Sequence, residues 1–242
     1  MKDMRFTLDK SIDYLPADEL ENLQVDLLKK HLRYTLANSP FYKDKFSEKD
    51  IASISKLSDL SKFTKTSKKD LADCNSDFLS ISKRDVVEYV TTSGTTGKPV
   101  SIALSKNDLD RLAYNEARSL EIADFTTDDT VQITTTLDKC FMAGMAYYLG
   151  LTKIGAAVIR AGQGTPEFHW EMIKQINPTA LIAVPSFLQK LGANSSSIQH
   201  QITKALCIGE PLRNADFSDN QLTKNIAEHW NLDLRSTYAS TE

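Results

Sequence analysis

Near the start of the chain, apolar residues recur at helical spacing. Leu20, Leu23, Leu27 and Tyr34 form one stripe, and Val25, Leu28, Leu32 and Leu36 form another on roughly the opposite side. Pro16-Ala17-Asp18-Glu19 supplies a start, since proline suits a first helical turn and acidic side chains there complement the helix dipole. Pro40 supplies a stop just after Asn38, because the residue before a proline is pushed out of the helical region. A helix apolar on two sides is expected to lie between other elements or to be partly covered by a partner. His31 falls on this helix without a second ligand at metal spacing, and reads as a packed or surface histidine.

Residues 47–69 break into short apolar pieces, Ile51, Ile54, Leu57 and Leu60, set among serines and lysines. No aromatic side chains interleave these charges as stacking platforms, so the run reads as a solvated face and not as a nucleic-acid patch. Val86-Val87-Glu88-Tyr89-Val90 reads as a strand. After Pro99, helix and strand alternate. Helices are expected over residues 106–123, 143–151, 166–176 and 222–230, and strands over 130–134, 156–159, 180–184, 205–208 and 232–237. Short apolar strands separated by helices imply βαβ units, hence an α/β fold with a mainly parallel sheet and helices on both faces. Such sheets bind ligands beyond the carboxyl ends of their strands. The expected organisation is a helical segment over residues 1–80 packed on an α/β core over residues 81–242.

A chain of 242 residues, 41% apolar and 25% charged, is ordinary for a soluble globular protein. A net charge of -3 offers no general attraction to nucleic acid or to an anionic membrane. No apolar run approaches ~18 residues, so no membrane span is expected. Met1-Lys2-Asp3-Met4-Arg5 lacks the apolar segment of a secretory signal, and the cytoplasm is the expected location. Cys74, Cys140 and Cys207 are far apart and in no Cys-x-x-Cys spacing, which suits reduced thiols. No zinc-ligand spacing and no Ser-His-Asp order stands out. His169, His200 and His229 match no motif and are expected at the surface.

One stretch does carry chemistry. Thr91-Thr92-Ser93-Gly94-Thr95-Thr96-Gly97-Lys98-Pro99-Val100 follows the Val86–Val90 strand run. Glycine lets backbone N–H groups approach an anion with no Cβ in the way, and successive N–H groups form a concave nest. Serine and threonine hydroxyls add neutral donors, and Lys98 adds a mobile charge suited to polyphosphate. The spacing is not that of a P-loop: only Thr95 and Thr96 separate Gly94 from Gly97, and Pro99, not a hydroxyl residue, follows Lys98. A flexible surface turn has a similar composition.

The string Ser93-Gly94-Thr95-Thr96-Gly97-Lys98-Pro99 resembles the signature of the adenylate-forming superfamily, which includes acyl- and aryl-CoA ligases. The chain as a whole most resembles the N-terminal portion of its phenylacetate-CoA ligase branch. Ser39-Pro40-Phe41-Tyr42 is similar to that branch's entry segment, and Tyr238-Ala239-Ser240-Thr241-Glu242 to its Tyr-Gly-x-Thr-Glu motif. Gly209-Glu210-Pro211 and Pro185-Ser186-Phe187 resemble further family segments in the same chain order.

The resemblance implies an AMP-forming ligase that joins a carboxylic acid to CoA through an acyl-adenylate, with ATP and Mg2+ required. Thr92 to Lys98 would hold the ATP β- and γ-phosphates. Gly209, Glu210 and Pro211 would line the adenine pocket, and Tyr238, with Ala239 beside it, would stack on the base. Thr241 would contact the α-phosphate and Glu242 would coordinate Mg2+, which prefers hard oxygen ligands. Phe141, Ala143, Gly144, Pro185, Ser186 and Phe187 would border an acid tunnel suited to an aryl acid. ATP, the acid and CoA are then the expected partners, and the two-sided N-terminal helix makes a homodimer an expectation too. Two readings stay open beside this one: a nucleotide- or acyl-binding module without turnover, and an acyl-protein synthetase.

The chain departs from the family pattern at three points. Ala239 stands where glycine is usual, and Ile208 where glycine often precedes Glu210. The third departure is at the end: family members continue past Thr-Glu into a mobile lid that supplies a catalytic lysine. The sequence is therefore expected to be an N-terminal portion of the fold, lacking that lid.

Overall fold

A computed structural model describes residues 10–92, 99–194 and 198–239. These divide into two compact units, the division falling between Asp108 and Leu109.

In the first unit, the N-terminal helix α1 spans Ala17–Asn38, and its stop at Ser39–Pro40 falls where the proline requires. Of its two stripes, the one with Val25 is the better covered, with Val25 buried and Leu28, Leu32 and Leu36 half-buried, whereas Leu27 and Tyr34 of the other are each 45% exposed. Phe41 stacks on Phe78 at 4.0 Å between centroids, Tyr42 meets the same ring edge-on, and the Ser39 hydroxyl donates to the Asp77 carbonyl at 2.8 Å. The Ser39–Tyr42 segment is thus a packing device. The serine-rich run has a specific local use as well. α2 (Glu48–Ser53) and α3 (Lys68–Asp73) each open on a reciprocal Ser-x-x-Asp cap, Ser47 with Asp50 and Ser67 with Asp70. Strands β1 (Val86–Thr91) and β2 (Ser101–Ser105) pair antiparallel, with Thr91 opposite Ser101. The alternation noted in the sequence did not announce β2, a short strand that begins and ends on serine.

The second unit holds the parallel sheet. Strands β3 (Thr130–Ile133), β4 (Ala157–Arg160), β5 (Ala180–Ala183), β6 (Lys204–Cys207) and β7 (Asp233–Ser236) lie in the order β4-β3-β5-β6-β7, every pair parallel. The helices are α4 (Lys106–Ile122), α5 (Met142–Ile154), α6 (Pro166–Ile176), α7 (Pro185–Ala193) and α8 (Gln221–Ala227). Strand period two sends Ala180 and Ile182 of β5 to one face, with Leu120 of α4 and Leu151 of α5. Leu181 and Ala183 face the other way, into Ile173 of α6, Leu188 of α7 and Ile226 of α8. All four β5 residues are buried, which is why they read as one unbroken apolar run. α6 has the expected bounds, fixed by the Thr165 cap, Pro166 in the first turn and Asn177 in a left-handed stop. α7 was not expected, because Pro185 reads as the end of a strand when it is the first residue of a helix.

Two devices hold this unit. At the amino edge of the sheet, the buried Asp129 carboxylate accepts from Lys204 Nζ, the Thr126 N–H and the Thr179 hydroxyl, each at 2.8 Å, joining the approaches to β3, β5 and β6. On the face carrying α7, the indoles of Trp170 and Trp230 stack with centroids 5.4 Å apart. Their N–H groups donate to the Leu191 and Leu188 carbonyls at 2.9 and 3.0 Å, so the helix is clamped by its own backbone. Gly192 permits the approach: a Cβ there would fall 2.7 Å from Trp230 Cδ1 and 2.8 Å from His229 Cβ.

Burial alone would raise the Asp129 pKa, but its hydrogen bonds outweigh that, led by Lys204, and it lies below the ordinary 3.8. A folded pKa below the unfolded one contributes stability above the unfolded value that is lost as pH falls through the folded value. Asp129→Asn should cost about 1–3 kcal/mol near neutral pH in urea unfolding, and its gap from wild type should narrow below about pH 4. Gly192→Ala should cost a further ~1–3 kcal/mol by overpacking the tryptophan clamp, read as a lowered unfolding midpoint.

Candidate functional site

The chain runs from β3 outward to β4, then returns past β3 to β5. Loops leaving β3 and β5 therefore diverge, and a crevice opens at their carboxyl ends. A cavity of about 620 Å³ lies there, within the range of small-molecule sites. Its floor comes from strand ends: Thr134, Thr135 and Thr136 follow β3, Val184 follows β5, and Ile208 and Gly209 follow β6. Phe187 of α7 and Phe141, just before α5, supply aromatic walls. Lys139, Lys190 and Gln163 are exposed at its margin, and Gly164 adds a stretch of bare backbone.

Several expected site residues meet here. Phe141, Phe187 and Gly209 line the cavity, and so does Ile208, the position noted as a departure. Phe141 is 41% exposed and follows Lys139 and Cys140, two consecutive residues with left-handed φ of 57° and 58°. That conformation costs non-glycine residues about 1–2 kcal/mol each, so the loop that presents Phe141 is under strain. Ala143, Gly144, Pro185 and Ser186 stand outside the lining and act at one remove. Gly144 lets α5 start against the Thr136 carbonyl, where any Cβ would collide. Pro185 is buried in the first turn of α7.

Ser186 and Glu210 are partners. The Ser186 N–H and hydroxyl donate to the two Glu210 carboxylate oxygens at 2.8 and 2.9 Å. A carboxylate thereby satisfies an orphan N–H at the start of α7, where the helix dipole favours negative charge. The bond ties the loop after β6 to the helix that carries Phe187. Gly209, just before it, has φ of 86°, a conformation that suits glycine, and only Val184 Cγ2 at 4.0 Å would be near a Cβ there. Tyr238 and Ala239 follow β7, with the Tyr238 ring 94% exposed, while Pro211 is exposed after Glu210.

In the first unit, the Thr92 N–H donates to the Val100 carbonyl and the Val100 N–H to the Thr92 hydroxyl, both at 3.0 Å. This pair closes the neck of the β1–β2 hairpin from which the hydroxyl-rich loop departs. The expectations for Ser93, Gly94, Thr95, Thr96, Gly97 and Lys98, and for Thr241 and Glu242, fall outside the described residues. Among the described residues, no group of three His, Cys, Asp or Glu side chains is arranged to hold a metal ion. Burial, with Glu210 nearby, pushes the Cys207 thiol up to about 12, so it is no nucleophile. No helix among the described residues is long and apolar enough to cross a membrane.

One expectation is overturned. His169 is not at the surface: it is wholly buried on the inner side of α6. Its Nδ1 lies 2.9 Å from Nε2 of Gln132, a buried polar residue in the middle of β3. Burial lowers its pKa below the ordinary 6.5, with the Gly162 backbone opposing. Its ring stands 5.0 Å from that of Phe187, edge to face. The available signal was the helical phase, since His169 sits three and four residues from Pro166 and Ile173, which face the core. His200 and His229 are exposed, as expected.

The chain matches the AMP-binding enzyme family over residues 22–242. It is 32% identical to the phenylacetate-coenzyme A ligase of Escherichia coli (strain K12) over 183 residues, 74% of this chain and 42% of that protein. The Aromatoleum evansii enzyme of the same name is 30% identical over 181 residues, 73% of this chain and 41% of that protein. The chain thus spans about two fifths of the length of these relatives. Among solved structures, a 2-hydroxyisobutyryl-CoA ligase in complex with 2-HIB-AMP and CoA superposes with a TM-score of 0.79 at 18% identity, covering 92% of this chain and 49% of the other. An anthranilate CoA ligase in complex with anthranoyl-AMP gives 0.52 at 19% identity, covering 68% and 31%. At those identities the likeness speaks for the fold, and it agrees with the parallel sheet. Sequence match and architecture together make this chain a member of the AMP-binding enzyme family.

Proposed function

We propose that the chain carries the acid-activating site of an AMP-forming acid–CoA ligase. A carboxylate oxygen of the acid attacks the ATP α-phosphorus, the bond to the β-phosphate bridging oxygen breaks, and pyrophosphate leaves. The acyl-adenylate then passes its acyl group to the CoA thiol and releases AMP. The observation that carries this reading is the cavity at the β3/β5 switch point, apolar and aromatic in its walls. It lies in a chain whose curated relatives are phenylacetate-CoA ligases.

In this reading Phe141 and Phe187 hold the body of an aryl acid. Both rings offer flat apolar area, which favours aromatic partners in offset or edge contact. Gly209 and Pro211 flank the adenine, and Tyr238 gives the base a face to stack on, with Ala239 in the place of the usual glycine. Glu210 shapes that pocket through Ser186, holding the loop after β6 to α7. Thr92 sets the neck of the phosphate loop, and the N–H and hydroxyl groups of Ser93 to Gly97, with Lys98, receive the β- and γ-phosphates. Charge builds on phosphate oxygens as the carboxylate approaches, so fixed donors are what the reaction needs most. Thr241 would donate to the α-phosphate, and Glu242 would hold Mg2+, whose charge offsets that of the polyphosphate. The residues 1–80 segment would serve as support for the core that follows it.

Acid-dependent exchange of pyrophosphate into ATP measures the first half-reaction directly. Arylacetic acids should support it more strongly than fatty acids, and Phe187→Ala should reduce the arylacetate-dependent rate by tenfold or more, about 1.4 kcal/mol. Exchange with no acid, from protein with an intact unfolding transition, would leave a nucleotide- or acyl-binding module as the better account. Glu210→Ala should lower stability by about 1–2 kcal/mol and weaken ATP binding measured by calorimetry, because the Ser186 N–H and hydroxyl lose their acceptor.

A further inference from the structure

Turns that hold two consecutive residues at left-handed φ are usually built from glycine, asparagine or aspartate, because other side chains are strained there. The turn at the cavity margin is built otherwise. Its closing bond runs from the Phe141 N–H to the Asp138 carbonyl at 3.1 Å, and its central residues, Lys139 and Cys140, have φ of 57° and 58°. Those are the signs of a type I′ turn, with a lysine at a position where asparagine or glycine would be less strained. Strain that the surrounding structure maintains beside a cavity points to a side chain in use. Lys139 lines the cavity, and among the described residues it makes no hydrogen bond or ion pair. Lys190, the other lysine of the lining, lies within electrostatic reach of Glu167.

The cavity has a use for that charge. Phe141, Phe187, Val184 and Ile208 offer apolar area to the body of an acid and nothing to its carboxylate. The Thr134 hydroxyl is already engaged, donating to the Ile182 carbonyl at 3.0 Å. A carboxylate drawn against such walls loses part of its hydration and needs a cation to meet it. We propose that Lys139 receives the carboxylate of the acid at the margin of the cavity, held there by the strained turn, while the aryl body lies against Phe141 and Phe187. This rests on the reading of the cavity as the acid site, and it adds the residue that selects an anion over a neutral ligand of the same shape. Lys139 is exposed, so the pair is screened by salt and changes affinity by about fivefold.

The test is calorimetry on the full 242-residue chain with α,β-methylene-ATP and Mg2+. Phenylacetate is compared with 2-phenylethanol, which has the same ring and reach and no charge. Lys139→Gln should weaken phenylacetate about fivefold and leave the alcohol unchanged, and added salt should narrow the difference between the two proteins. Lys139→Arg should keep the preference for the acid. Lys139→Gly should lose that preference while raising the thermal unfolding midpoint, because the turn relaxes as the charge goes. Cys140→Gly relaxes the same turn and keeps the lysine, so it should raise the midpoint and retain the preference. An unchanged preference in Lys139→Gln, an equal loss of acid and alcohol there, or a loss of preference in Cys140→Gly would each overturn the proposal. No binding of either ligand by folded wild type would overturn the assignment of the cavity itself, and the proposal with it.

Discussion

A parallel strand sealed on both faces has only its two ends left to do anything. β5 is such a strand, with Ala180 and Ile182 packed beneath one pair of helices and Leu181 and Ala183 beneath another three. Its neighbours share the constraint, so the sheet divides its labour between edges. The amino edge is closed by Asp129, whose carboxylate gathers Lys204, Thr126 and Thr179. The carboxyl edge opens where β3 and β5 send their chains in opposite directions, and the cavity forms there. A closed edge and an open one lie at opposite ends of the same strands.

The cavity owes its wall to a short helix that has little stability of its own. α7 has nine residues, too few to persist in isolation. It is held by the tryptophan clamp on its carbonyls and by Glu210 at its first turn. Phe187 is placed by those contacts, so residues with no reach into the cavity decide its shape. Ser186 and Glu210 illustrate the point: side chains expected to touch two different ligands touch each other.

Membership of the AMP-binding enzyme family accounts for this arrangement without specifying its use. A likeness at 18% identity extends over 92% of the chain because burial and topology tolerate exchange among apolar residues. The polar positions around the cavity are under a different constraint, since each buried donor or acceptor needs a particular partner.

Much of the architecture was legible in the sequence, for reasons of short range. The strands from β3 to β7 are compact apolar runs, and the helices between them carry apolar stripes and capping residues, so period and punctuation located them. The hydroxyl- and glycine-rich string and its order with later segments pointed to the family, because phosphate binding demands particular residue types in sequence. Elements governed by partners far along the chain were not legible. α7 hides behind a proline, and its bonds reach residues 21 to 42 positions away. His169 looked like a surface residue because nothing nearby in sequence explains a buried imidazole; Gln132, its partner, lies on another element. The chain's own order determined the elements and pointed to the family. Tertiary packing alone decided which side chains meet at the cavity, since that depends on where crossovers return and which polar groups burial leaves to find a partner.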